Sequence, residues 1–156
     1  MRYKKILTAN IIDLQLTAET KREALEKMAN ILYRDNRLSD RALFLEDVYK
    51  REELETTDMG IGVAIPHGKS SAVLHTSVAI GRLPEPVQWN LEDTEQPVYA
   101  IFLLAVSLEN QSRVHLELLS NIASLLINDS FITDMQNARS EKQLLESVQK
   151  HLGEII

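Results

Sequence analysis

The chain has 156 residues, of which 44% are hydrophobic and 26% charged, a composition typical of one soluble globular domain spanning residues 1–156. Its 17 basic and 23 acidic residues give a formal charge of −6, which disfavours binding to the phosphate backbone of nucleic acid. The absence of cysteine excludes disulfides, cysteine nucleophiles and thiolate metal sites within the chain.

The first predicted elements are a short strand and an amphipathic helix. Residues Ile11 to Leu16 alternate in part between apolar and polar side chains, which predicts a strand. Thr20 to Glu23 form a capping box that opens a helix with apolar residues at three- and four-residue spacing. The helix runs to about Arg34, and Asn36 can end it in a left-handed conformation.

The second predicted helix ends in a cluster of charges. Ser39 or Asp40 is expected to cap this helix, which runs toward Glu53. Mixed charges near a helix end usually form a solvated face, and we interpret most of residues 50–55 in that way.

The stretch from Thr57 to Gly68 is the most unusual in the chain. Two glycines lead into the apolar run Val63 to Ile65, which predicts a brief buried strand. Because Pro66 has no N–H and a fixed φ, we expect the sheet ladder to stop there. His67 would then lie at the end of a strand with its imidazole facing solvent, where a neutral ring suits phosphoryl or acyl capture. Taken alone, the Pro-His-Gly tripeptide is more typical of an ordinary turn.

Two further strands are predicted in the middle of the chain. Val73 to Arg82 forms the first, and the pattern breaks at Pro84 and Pro86. Residues 88–95 then form an exposed connection. Val98 to Val106 is the longest apolar run, which predicts a central buried strand.

The C-terminal third is predicted to be helical. A strongly amphipathic helix begins at Asn110 or Ser112, reaches about Asn128 and carries His115 in its first turns, at or beside the inward face. Taken alone, this pattern favours a packed histidine bonded to a backbone carbonyl. A short helix follows over residues 130–137, and the capping box at residues 140–143 opens a last helix.

The stretch from Thr57 to Gly68 resembles the T-G-I-G-x-G-I-A-I-P-H-G signature of a known family. The family comprises the fructose/mannitol-type (type 2) enzyme IIA domains of the bacterial phosphoenolpyruvate-dependent sugar phosphotransferase system. Asp58 stands where the signature has its first glycine, and Ile61 replaces a frequent asparagine. Asp58 can still adopt a left-handed turn conformation, at some cost relative to glycine.

The similarity to this family extends from about Ile11 to Val148. Tyr49 to Glu53 is similar to the family's R-E-E element, and Val114 to Leu119 is similar to its H-L-x-x-L element. Residues 86–90 and 96–105 are similar to its p-i-x-W and p-V-x-x-x-f-l-l-a segments. The resemblance implies an α/β fold with a single mixed, mostly parallel sheet of about five strands, flanked by helices on both sides.

The resemblance also implies the site residues. His67 would be the phosphorylated nucleophile, with His115 and Arg51 beside it, and a guanidinium fork is suited to gripping phosphate oxygens. The supporting loop would consist of Thr57, Gly60, Gly62, Pro66 and Gly68, whose glycines would let two protein surfaces approach closely. No cofactor and no metal is expected.

By the same resemblance, the chain is a phosphoryl carrier in the uptake of a fructose-like or related sugar. The donor would be the phosphocarrier protein HPr, the acceptor an enzyme IIB, and a membrane enzyme IIC would meet the sugar. We expect a cytoplasmic location without direct membrane insertion, because no apolar run approaches the ~20 residues of a membrane span and no secretion signal is present.

Two alternative functions remain open at this stage. The family includes nitrogen-type regulatory enzyme IIA proteins, which act by phosphorylation-dependent protein binding; Trp89 and the lack of an added regulatory segment favour the sugar branch slightly. A metalloenzyme using His67, His115 and either Glu52 or Asp58 is a distant alternative, since no compact H-x-x-x-H spacing exists. No G-x-S-x-G motif supports serine hydrolysis.

Overall fold

The computed structural model describes residues 5–90 and 97–153, which form five strands and five α-helices. The strands are β1 (Ile12–Asp13), β2 (Val63–Ala64), β3 (His67–Ser70), β4 (Ser77–Val87) and β5 (Val98–Ser107). The helices are α1 (Lys21–Arg34), α2 (Arg41–Leu54), α3 (Gln111–Leu126), α4 (Asp129–Asn137) and α5 (Glu141–Leu152). Short 3₁₀ turns over Ala9–Ile11 and Leu108–Asn110 precede β1 and α3.

The five strands form one mixed sheet, which confirms the predicted α/β fold class. The strand order is β1-β4-β5-β2, and β3 also pairs with β5. The three short pairings, β1 with β4, β2 with β5 and β3 with β5, are parallel. The longest pairing, β4 with β5, is antiparallel. The sheet is therefore more evenly mixed than the predicted description suggests.

The helices flank the sheet in two groups. Helices α1 and α2 pack against each other and cover β4 and β3, whereas α3, α4 and α5 pack together with α3 against β5. All residues from Ala100 to Val106 are buried, which confirms the prediction of a central buried strand. No helix within the described ranges is both long enough and apolar enough to cross a membrane.

Local side-chain signals place the helix ends where the sequence predicts them. The Thr20 hydroxyl accepts a 3.1 Å hydrogen bond from the amide of Glu23, and Asp40 and Ser140 cap α2 and α5 in the same way. Asn36, just beyond α1, has a φ of 60°. Each cap bonds an amide three residues further along the chain, and the turn at Asn36 is equally local. These features therefore do not depend on distant parts of the chain.

The predicted break at Pro84 and Pro86 is wrong, because β4 continues through both prolines to Val87. The pairing of β4 with β5 is irregular between Arg82 and Val87. Prolines are tolerated in a strand where the regular ladder is interrupted, because no N–H is then required of them. At the other end of the sheet, β1 is shorter than the predicted strand.

The predicted exposed connection over residues 88–95 is wrong for Trp89. Its side chain is only 4% exposed, and the Lys21 ammonium lies 5.0 Å from the centre of its ring. The helix start at Lys21 covers an indole that the local sequence would leave on the surface. The acidic part of this prediction, residues 92–95, lies outside the described residues.

Gly68 allows close packing inside the protein. A Cβ atom added to Gly68 would lie 2.9 Å from Cγ2 of Val48 and 3.0 Å from Cε1 of Phe44. Both of these side chains belong to α2, and Gly68 is buried. The expectation that Gly68 lets two protein surfaces approach is therefore wrong, since the approach it allows is that of α2 to β3.

We predict that Gly68→Ala lowers the free energy of unfolding by about 1–3 kcal/mol, because α2 must move away from β3 to admit the methyl group. Urea unfolding monitored by circular dichroism measures this change. Ser120→Ala, at an exposed position of α3, is the control and should stay within about 0.5 kcal/mol of the wild type. A Gly68→Ala variant as stable as the wild type would contradict the packing role.

Candidate functional site

His67 is placed by two short strands that run along β5 in one register. Ala64 lies opposite Ile101 and His67 opposite Leu104, so equal numbers of residues separate the two pairs on each strand. The amide of Leu104 donates to the carbonyl of Pro66 at 2.9 Å. The prediction that the ladder stops at Pro66 is wrong, because the proline lacks only its own N–H. Its carbonyl still accepts a hydrogen bond, and pairing with β5 resumes at His67.

The imidazole of His67 is oriented by a backbone hydrogen bond. Its Nδ1 lies 3.0 Å from the carbonyl oxygen of Ile65. Since a carbonyl oxygen can only accept, Nδ1 carries the proton of the neutral ring and Nε2 keeps its lone pair. The side chain is only 7% exposed, so the prediction of a solvent-facing ring is wrong. The ring instead lies in the wall of a cleft.

The residues before β2 fold back along it as a tight antiparallel turn. The amide of Met59 donates to the carbonyl of Val63 at 2.9 Å, and the amide of Ile65 donates to the carbonyl of Thr57 at 3.0 Å. Thr57 is 7% exposed. The start of the signature stretch is therefore bonded to the residue whose carbonyl holds the His67 ring.

Two glycines and one aspartate shape the tip of this turn. Gly60 and Gly62 have φ values of 79° and 86°, a region that favours glycine. The Asp58 carboxylate accepts a 2.9 Å hydrogen bond from the amide of Gly60. Asp58 does not adopt the left-handed conformation that was open to it, since Asn36 is the one non-glycine residue with positive φ among residues 5–90 and 97–153. The aspartate stabilises the turn through its side chain.

His115, in the second turn of α3, lies directly beside His67. The centres of the two rings are 4.7 Å apart and their planes are inclined by 58°. His115 is 9% exposed, and its buried Nε2 has no hydrogen-bond partner among the residues that the structure describes. A ring nitrogen without a partner next to His67 can bond to a group that arrives on the neighbouring ring.

Both histidines open into a cleft of about 520 Å³ between the end of α2, the start of β3 and the start of α3. Its lining residues are Asp47, Lys50, Arg51, Glu53, Leu54, His67, Lys69 and His115. The structure thus brings the three predicted site residues, His67, His115 and Arg51, into one cleft. Arg51 is half-buried, and its Nη1 donates to the carbonyl of Glu55 at 2.8 Å.

Burial and nearby charges set the protonation of His67. Burial is the largest effect and lowers the pKa of its imidazole, and the positive charges of Arg51 and Lys69 lower it further. The hydrogen bond to the Ile65 carbonyl and the negative charge of Glu52 act in the opposite direction. Because the pKa lies below its usual value of about 6.5, the ring is neutral at neutral pH.

His115 is shifted in the same direction. Burial lowers the pKa of His115 to about 4, with further contributions from His67, Lys69 and Arg51. Two neutral imidazoles therefore stand beside fixed cations, and the site can receive an anionic group without first losing protons from either ring.

Lys69 is a cleft residue that the sequence interpretation missed. It follows His67 by two residues on β3, and side chains two apart on a strand point to the same face. That signal depends on β3 being a strand, whereas the sequence pattern predicts that the ladder ends at Pro66.

The described residues do not bring together three or more histidine, aspartate or glutamate side chains in a group that could hold a metal ion. The metalloenzyme alternative therefore has no ligand set within residues 5–90 and 97–153.

Comparison with known proteins identifies the family. The model of the family described as "Phosphoenolpyruvate-dependent sugar phosphotransferase system, EIIA 2" matches residues 5–151. The chain is 29% identical over 151 residues to the PTS system fructose-specific EIIABC component of Bacillus subtilis (strain 168). That alignment covers 97% of this chain and 24% of the relative. The chain is also 29% identical over 144 residues to the mannitol-specific phosphotransferase enzyme IIA component of the same organism, an alignment that covers 90% of this chain and 94% of the relative.

A solved structure shows the same fold. The nitrogen regulatory protein IIA-Ntr from Neisseria meningitidis superposes with a TM-score of 0.81 at 32% identity, covering 92% of this chain and 96% of that one. By contrast, the chain spans only about a quarter of the length of the fructose-specific relative.

We predict that the low pKa of His115 makes the protein less stable in acid. Unfolding returns the His115 pKa from about 4 toward 6.5, so the unfolded chain binds more protons and this contribution to stability is lost as the pH falls from about 6.5 to 4. His115→Gln, which cannot titrate, should lose less unfolding free energy than the wild type between pH 7 and pH 4.5. Equal losses in urea unfolding at the two pH values would contradict this assignment.

Proposed function

The chain belongs to the EIIA 2 family of the phosphoenolpyruvate-dependent sugar phosphotransferase system, and we propose that it carries phosphoryl groups from phospho-HPr to an enzyme IIB by way of His67. The observation that carries this proposal is the hydrogen bond from Nδ1 of His67 to the Ile65 carbonyl. It leaves Nε2 unprotonated on a ring that lines the cleft beside Arg51, Lys69 and His115.

The transfer consists of two displacements at phosphorus. In the first, the Nε2 lone pair of His67 attacks the phosphorus of the donor phosphohistidine; the new N–P bond forms as the donor's N–P bond breaks, and the donor nitrogen keeps that electron pair. In the second, an acceptor nucleophile, a cysteine thiolate by resemblance to this branch of the family, takes the phosphoryl group and His67 recovers its lone pair. The proton stays on Nδ1 of His67 throughout, donated in a hydrogen bond to the Ile65 carbonyl.

The side chains around His67 suit a phosphoryl group in transit. Phosphoryl transfer depends mainly on positioning and on stabilising the charge of the equatorial oxygens. Arg51 offers a planar fork of N–H donors and Lys69 a point charge, both within the cleft. His115, whose Nε2 has no partner within residues 5–90 and 97–153, can donate a hydrogen bond to a phosphate oxygen in its Nε2–H tautomer.

The surface near the cleft offers apolar residues for docking. Leu54, which lines the cleft, is 83% exposed, and Leu116, next to His115, is 68% exposed. We assign these two side chains to the surface that HPr and enzyme IIB contact in turn, in a cytoplasmic chain whose membrane partner is an enzyme IIC.

A regulatory role is the second candidate, and the similarity to the nitrogen regulatory protein IIA-Ntr favours it. The phosphoryl acceptance would be the same, but the output would be binding of a target protein according to the phosphorylation state of His67. Passage of phosphate to a cognate enzyme IIB distinguishes the two, since a sugar carrier transfers its phosphoryl group and a purely regulatory chain retains it.

We predict that His67→Ala cannot acquire a phosphoryl group. The wild type, incubated with phosphoenolpyruvate, enzyme I and HPr, should gain one acid-labile phosphoryl group, because Nε2 of His67 is the attacking atom. His75→Ala, which removes a histidine outside the cleft, should be labelled like the wild type. Labelling of His67→Ala at the wild-type rate would refute the assignment of the nucleophile.

We predict that His115→Ala accepts phosphate but passes it on poorly. Loss of one positioned hydrogen-bond donor to a developing charge costs on the order of 100-fold in rate, and we expect an effect of this size in transfer to enzyme IIB. Single-turnover transfer from the pre-phosphorylated chain measures it. Normal onward transfer from His115→Ala would count against its proposed role.

A further inference from the structure

The side chain of Glu52 is buried, although the charge pattern of residues 50–55 predicts a solvated face. Its side chain is only 5% exposed, and both carboxylate oxygens have partners. One oxygen accepts a 2.7 Å hydrogen bond from the Lys21 ammonium, and the other accepts a hydrogen bond from the Thr57 hydroxyl. A buried carboxylate is costly unless its oxygens are bonded in this way, so Glu52 is held firmly in one place.

The bonds of Glu52 join three separate parts of the chain. Glu52 lies in the last turn of α2, Lys21 is the first residue of α1, and Thr57 begins the turn that precedes β2. The Lys21 ammonium also lies over the ring of the buried Trp89. The Glu52 carboxylate is therefore bonded through one oxygen to Lys21, at the start of α1, and through the other to Thr57, at the start of the signature stretch.

A continuous series of hydrogen bonds leads from Glu52 to the reactive ring. The Thr57 hydroxyl donates to Glu52, and the Thr57 carbonyl accepts from the amide of Ile65 at 3.0 Å. The carbonyl oxygen of the same Ile65 accepts a hydrogen bond from Nδ1–H of His67, with 3.0 Å between the nitrogen and the oxygen. Each step fixes the group that orients the next one.

We propose that Glu52 is a positioning residue for phosphoryl transfer: by holding Thr57 it fixes the Ile65 peptide, which keeps the proton of His67 on Nδ1 and the lone pair on Nε2. Its effect on transfer rests on the proposed function, whereas its effect on the His67 ring can be measured without any phosphoryl donor. Arg51, its neighbour in the sequence, lies in the cleft itself and acts on the phosphoryl group directly.

Four variants of the full chain separate positioning from general packing. Glu52→Ala removes both acceptor oxygens, and Thr57→Val removes the hydroxyl while keeping the shape of the side chain. Glu52→Gln and Thr57→Ser are the conservative counterparts, since each can still make the bond between residues 52 and 57. Glu55→Ala, an exposed position at the end of α2 outside the cleft, is the matched control.

The first measurement is ¹⁵N NMR of the histidine rings in the unphosphorylated protein near pH 7.5. We expect the wild type, Glu55→Ala and the two conservative variants to hold His67 with Nδ1 protonated and Nε2 bare. Glu52→Ala and Thr57→Val should show a mixture of the two neutral tautomers. Because Thr57→Val conserves volume, it keeps the test valid if Glu52→Ala fails to fold.

The second measurement is the rate of His67 phosphorylation at varied phospho-HPr concentration. In Glu52→Ala and Thr57→Val, kcat should fall about 10- to 100-fold with KM unchanged, because the docking surface is intact and only the ring is misplaced. Wild-type tautomers and rates in both variants would overturn the positioning role. A wild type that takes no phosphate, while Thr57→Val still shifts the tautomer, would overturn the proposed function and support the positioning role.

Discussion

The position of His67 depends on the shared register of β2 and β3 along β5. Because both short strands keep the same alignment, Pro66 can interrupt the pairing without displacing the chain that follows it. The Ile65 carbonyl, which the interruption leaves beside the ring, accepts a hydrogen bond from Nδ1–H of His67. The His67 ring is therefore held by the sheet itself, and β5, which is buried along almost its whole length, makes that support rigid.

The electrostatics of the cleft follow from the same placement. Burial lowers the pKa of both His67 and His115, and nearby cations lower both further. Neutral rings beside the positive charges of Arg51 and Lys69 suit an incoming phosphoryl group. Once phosphorylated, His67 would carry its negative charge beside these two cations.

Much of the fold could be predicted because its signals are local. The cap at Thr20 and the left-handed turn at Asn36 depend on neighbouring residues, and the apolar run of β5 is long enough to predict a buried strand without other information. The predictions that fail concern residues whose partners lie far away in the sequence. Trp89 is covered by the start of α1, and the buried side chain of Glu52 is bonded to Lys21 of α1 and to Thr57 in the turn before β2.

The candidate site shows the same division between local and distant signals. His67, His115 and Arg51 were identified through short motifs that resemble those of a family, and the fold brings all three into one cleft. Lys69 was missed because its alternation with His67 exists only if pairing resumes after Pro66.

We propose above all that the sheet leaves Nε2 of His67 free to accept phosphorus. NMR of the ¹⁵N-labelled, phosphorylated protein tests this most directly: we expect phosphorus coupled to Nε2 of His67 with the proton retained on Nδ1, and phosphorus on Nδ1 or on any other residue would contradict the account.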